Sequence, residues 1–108
     1  MMSSLMKNPP RVPAGDQFYW TYVVGVNVRR VRVSRGLSQA QVAARMTVLG
    51  DEISSVSISN LEMHVMNGRR ARRVTLHTAV RVDRLMLLAE VLQTTYLDLL
   101  REDTMPGA

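Results

Sequence analysis

Two helix starts, sixteen residues apart, constrain this chain more than any other feature. Gly36 can stop a helix, Leu37 and Ser38 follow it, and Gln41 stands three residues beyond Ser38. A serine N-cap with glutamine at the third helical position is a capping box, in which each residue satisfies a backbone donor at the helix end. Leu37 before the cap and Val42 four residues after it have the spacing of a hydrophobic staple. The layout recurs at Ile53, Ser54 and Ile58. The spacing predicts helix 2 from about Gln39 to Met46, and helix 3 from Ser55 to about Met63.

The flanks extend the same pattern. Trp20, Val24, Val28 and Val31 recur at helical spacing, so helix 1 runs from a cap at Asp16 to about Ser34 with those four facing inward. Val24, Val26 and Val28 also alternate as a strand would, and the stop at Gly36 favours the helix. Val42, Ala43, Met46, Ile58 and Leu61 read as core. Val48 and Leu49 read as anchors for the connection between helices 2 and 3. Helix 4 spans about Asp83 to Gln93, with Leu85, Leu88, Ala89 and Leu92 inward. Thr95 and Asp98 repeat the capping pattern before a final short helix packed by Leu97 and Leu100. Between helices 3 and 4, residues 64–81 contain the turn signal Asn67-Gly68 and read as either a short hairpin or an extended loop. The expected fold is all-α, a compact bundle of about five helices. Its parts are a flexible arm over 1–15, rich in proline, a domain over 16–101, and a tail over 102–108.

Composition narrows the function. The chain has 108 residues, enough for one domain with an adequate core. It has no cysteine, which excludes a disulfide scaffold and thiolate-held metals. His64 and His77 have no carboxylate at ligand spacing, so no metal or cofactor is expected. No apolar run reaches the ~20 residues of a membrane helix, and the N-terminus lacks a signal-peptide core. A cytoplasmic, nucleoid-associated protein is expected. No nucleophile–base pair, phosphate-cradling glycine loop or catalytic carboxylate pair is visible, so no enzyme is expected. The net charge is +5, yet residues 21–81 hold ten arginines against Asp51, Glu52 and Glu62. Residues 82–108 are net acidic. A basic stretch of this kind suits a polyanion, and arginine suits bidentate contact with phosphate or guanine.

Three segments now stand in order: Leu37-Ser38-Gln39 with Val42-Ala43; Ile53-Ser54 with Ile58-Ser59-Asn60-Leu61-Glu62; and Leu85 with Leu88-Ala89 and Leu92. Together they resemble the Cro/repressor-like (Xre-type) helix-turn-helix domain over roughly residues 22–100. Arg45 to Gly50 and Asn67-Gly68-Arg69-Arg70 are similar to an actinobacterial or actinophage branch of that family. The chain departs from the pattern in the extra stretch Met63 to Met66 and in another before Val82. The resemblance implies a lambda-repressor-like bundle that binds double-stranded DNA, commonly as a homodimeric repressor. It implies that Ser55, Val56, Ser59 and Asn60 face base edges, and that phosphates are met by Gln39 and the residues after helix 3. It also implies a salt bridge from Arg32 to Glu62.

The residues carry matching chemistry. An Asn60 amide can bond adenine N6 and N7 together, and Val56 can touch a thymine methyl. Gln39, in the first turn of helix 2, can join local amides around a phosphate. Asn67, Arg69, Arg70, Arg72 and Arg73 are the expected backbone contacts. Met86, Leu87 and Val91 lie off the inward stripe of helix 4 and read as a dimer or partner surface. A competing reading makes the chain an adaptor that binds another protein through that surface or through Phe18, Tyr19 and Trp20. A third keeps DNA but assigns an architectural role; it lacks an obvious intercalating wedge. No small-molecule ligand is evident.

Overall fold

The computed structural model describes residues 19–66 and 80–105, with 63–66 as backbone only. Its described residues are all-helical: α1 Tyr19–Ser34, α2 Gln39–Val48, α3 Ser55–Met66, α4 Val82–Val91 and α5 Tyr96–Leu99. None of these helices is long and apolar enough to cross a membrane. The start of α1 near Asp16, the arm over 1–15 and residues 67–79 lie outside the described residues. The hairpin-or-loop reading is therefore left with one observation, that α3 continues three residues beyond Met63 to Met66.

Three helix ends are built alike. Past α1, the Leu37 amide donates to the Arg32 carbonyl and the Gly36 amide to that of Val33, both at 3.0 Å. Past α2, Asp51 donates to Met46 and Gly50 to Thr47, again at 3.0 Å. Past α4, Thr94 donates to Ala89 and Gln93 to Glu90. These are Schellman turns, which need one residue with positive φ. Glycine supplies it at Gly36 and Gly50; Gln93 adopts it at +55°. The α2 start forms both bonds of its capping box, Gln41 amide to Ser38 hydroxyl and Ser38 amide to Gln41 side chain. At α3 the Ser57 amide donates to the Ser54 hydroxyl.

The core is assembled on α1, which packs most extensively against α3. Val24, Val28 and Val31 meet Val42, Met46, Ile53, Ile58, Leu61, Leu88 and Leu92. Ile53, Val42 and Ile58 are members of this cluster and Leu37 packs against it, as the two staple spacings require. Gly25 sets the spacing of α1 and α3: a Cβ built there would fall on the Leu61 carbonyl. A second cluster of Tyr19, Tyr22, Val23 and Val26 is covered by Met105. The chain after α5 thus folds back on α1 rather than trailing away. Asn27, fully buried, fixes that return by donating to the Leu99 and Arg101 carbonyls and accepting from Thr104.

Four expectations are corrected. Trp20 is half exposed, because the 101–105 segment packs on the Tyr19, Tyr22 and Val23 side of α1; its ring instead meets Tyr19 edge-on at 5.3 Å. Val48 and Leu49 are exposed, since the Gly50 turn ends α2 there and the connection is held by Ile53 and by Asp51. Leu97 is exposed and Leu99 takes its place in the core, a register difference in a one-turn helix. Helix α4 runs Val82–Val91, ending where Gln93 turns the chain.

Candidate nucleic-acid interface

α3 has two unlike sides. Ile58 and Leu61 enter the core, and Glu62 is 1% exposed beside them. Ser55, Val56, Ser59 and Asn60, at helical positions i, i+1, i+4 and i+5, share the opposite side. Ser55, Ser59 and Asn60 are partly exposed, and Val56 is 64% exposed. Serine is a poor helix-interior residue with short reach. A helix whose outer side is mostly serine lets a second surface come close to its backbone. Val56 on that side is an apolar residue that folding does not use.

Behind this side, one carboxylate joins three segments. Arg32 of α1 grips Glu62 through Nε and Nη2, each at 2.8 Å, while its Nη1 donates to the Leu37 carbonyl at 2.9 Å. The ion pair implied by the resemblance is therefore present. Its hydrogen bonds hold the Arg32 guanidinium above its ordinary pKa. Gln39, at the start of α2, donates to Glu62 Oε1, the oxygen that Arg32 Nη2 also holds, at 3.1 Å. Its side chain is half-buried and engaged in the fold by this bond. Removing one partner from a buried pair strands the other charge and typically costs about 3–5 kcal/mol.

The second brace was not anticipated from sequence. Asp51, just past α2, receives Arg84 of α4 through two bonds of 2.7 and 2.8 Å. Those bonds hold the Asp51 carboxyl below the usual aspartate range. Arg30 bonds Asp98, whose carboxyl is also lowered, chiefly by the Thr94 hydroxyl and then by Arg30. Arg35 donates to the Leu92 and Gln93 carbonyls at the end of α4, where a cation also complements the helix dipole. For Arg30, within α1, there was no signal; for Arg35 and Arg84 the available signal was an arginine next to a helix end. Sequence alone does not say which acid or carbonyl it meets.

Asn67, Arg69, Arg70, Arg72 and Arg73 lie outside the described residues. Of the expected apolar surface on α4, Met86 is exposed, Leu87 is half-buried against the core, and Val91 is buried. The expectation for Val91 is corrected because α4 packs on both α2 and α5, which covers two of its sides instead of one. Compared with protein-family models, characterised proteins and solved structures, the chain matches none.

Proposed function

We propose that α2 and α3 form a helix-turn-helix, and that the chain is a sequence-specific DNA-binding regulator that represses by occupying its site. The observation that carries this reading is the outer side of α3. It presents Ser55, Val56, Ser59 and Asn60 outward, on a helix braced from behind by Gly25 and the Arg32–Glu62 pair. Asn60 reads adenine through its amide, Val56 meets a thymine methyl, and the serines allow the close approach that both contacts need. The arginines of 69–73 supply phosphate contacts that are blind to sequence. The adaptor reading is weaker, since two of the three α4 residues it relies on are drawn into the fold.

Selection from a random duplex pool, then gel shift at physiological salt, tests this. The recovered sequence is expected to bind at least about a thousandfold more tightly than random duplex. Equal affinity for all duplexes overturns the reading. Asn60→Ala is expected to relax the preference at one base pair, at a cost of about 1–3 kcal/mol, and to leave random-duplex binding unchanged.

A further inference from the structure

We infer that Met105 is a site of reversible oxidation, and that its sulfoxide releases the 101–105 return from α1. Met105 is 6% exposed and covers the cluster of Tyr19, Tyr22, Val23 and Val26. It is the apolar side chain that the return gives to that cluster; the other ties are polar. The Thr104 hydroxyl donates to Asn27, the Asn27 amide to the Leu99 and Arg101 carbonyls, and the Tyr19 hydroxyl to Glu102. Within the return, which is not helical, the Met105 amide donates to the Glu102 carbonyl at 3.1 Å. An irregular segment closed by one apolar side chain belongs to the low-stability end of a fold and opens locally.

Opening brings the thioether into water. A sulfur lone pair then takes the terminal oxygen of a hydroperoxide. The S–O bond forms, the O–O bond breaks, and the proton passes to the departing oxygen, which leaves as water or an alcohol. Sulfur loses an electron pair and the peroxide gains it. A sulfoxide re-enters an apolar cluster only by giving up its hydration, so the open form is favoured once it has formed. Tyr19, Tyr22, Val23 and Val26 are then uncovered on the helix that α3 packs against. Two other methionines bracket the site. Met46 is fully buried in the core, and Met86 is exposed on α4. The inference requires no DNA and stands apart from the reading of α3.

The full chain, treated with dilute hydrogen peroxide at neutral pH, tests it. Mass spectrometry follows each sulfoxide, trypsin reports cleavage after Arg101, and emission reports Trp20. This is the single tryptophan, and its ring meets Tyr19 at 5.3 Å. Met86 is expected to react first, then Met105, then Met46. Oxidation of Met105 should speed cleavage after Arg101 by about tenfold or more, since cleavage follows the open population, and should change Trp20 emission. Methionine-sulfoxide reductases should reverse both changes. Met105→Leu keeps an apolar cover without sulfur, and after the same treatment should retain the parent's cleavage rate and emission. Met105→Gln should behave, untreated, like the oxidised parent. A Met105 that reacts no faster than Met46 overturns the inference. So does a Met105 sulfoxide that leaves cleavage and emission unchanged, or an M105L variant that loosens as the parent does.

Discussion

Gly25 and Gln93 are single residues whose backbone demands are opposite, and each gives a sharp test. Gly25 lies within α1, where alanine would ordinarily favour the helix by about 1 kcal/mol. Its missing Cβ is what lets the Leu61 carbonyl of α3 approach. Gly25→Ala must push the two backbones apart, and overpacking of that kind costs about 3 kcal/mol. A net loss of roughly 2 kcal/mol in chemical denaturation is expected. Gln93 turns the chain at φ +55° without glycine, a conformation that costs an L-residue about 1–2 kcal/mol. Part of that is offset by the flexibility glycine brings to the unfolded chain. Gln93→Gly should therefore raise stability by about 0.5–1 kcal/mol, read as a higher denaturation midpoint at unchanged slope.

At the scale of elements, short carboxylate–arginine ties fasten the connections. The Asp51 and Asp98 carboxyls are both held below their ordinary value of 3.8. A depressed carboxyl contributes stability that is complete above the unfolded-state value and is lost as pH falls through the folded one. The melting temperature should stay level from neutrality down to about pH 5 and drop below about pH 4. Asp51→Asn should cost about 1–2 kcal/mol at pH 7, because the Arg84 bonds lose their charge, and should make the acid limb shallower. The helices themselves were legible because their ends are local chemistry: Ser38 with Gln41, Ser54 with Ile53 and Ile58, and Gly36 each act within a few residues. Glutamine carries no turn signal, so the sequence pattern of α4 extends to Gln93 although the helix ends at Val91. Trp20 and Leu97 were misplaced for another reason. Their burial depends on where the 101–105 return and the single turn of α5 come to rest, which no periodicity encodes. The outward side of α3 followed from the register of its cap. The engagement of Gln39 by Glu62 did not, since it links residues 23 apart.

Across the whole molecule, the +5 charge is less available than the sequence suggests. Arg30, Arg32 and Arg84 are bound to Asp98, Glu62 and Asp51, and Arg35 to helix-end carbonyls. The described part of α3 carries no arginine or lysine. On the proposed reading, the arginines of 69–73 supply the phosphate contacts together with exposed Arg45 and Arg81, so Arg70→Ala should weaken binding to every duplex alike. It should also lower the magnitude of the log-affinity against log-salt slope by about 0.9, measured by titration across salt concentrations. The Arg30–Asp98 tie carries one more consequence. The acid at 98 sets local charge as well as position: Asp98→Asn would lift the net charge to +6 and weaken the hold on both Arg30 and Arg101, while Arg30 kept its bonds to the 98 carbonyl and to Asn27.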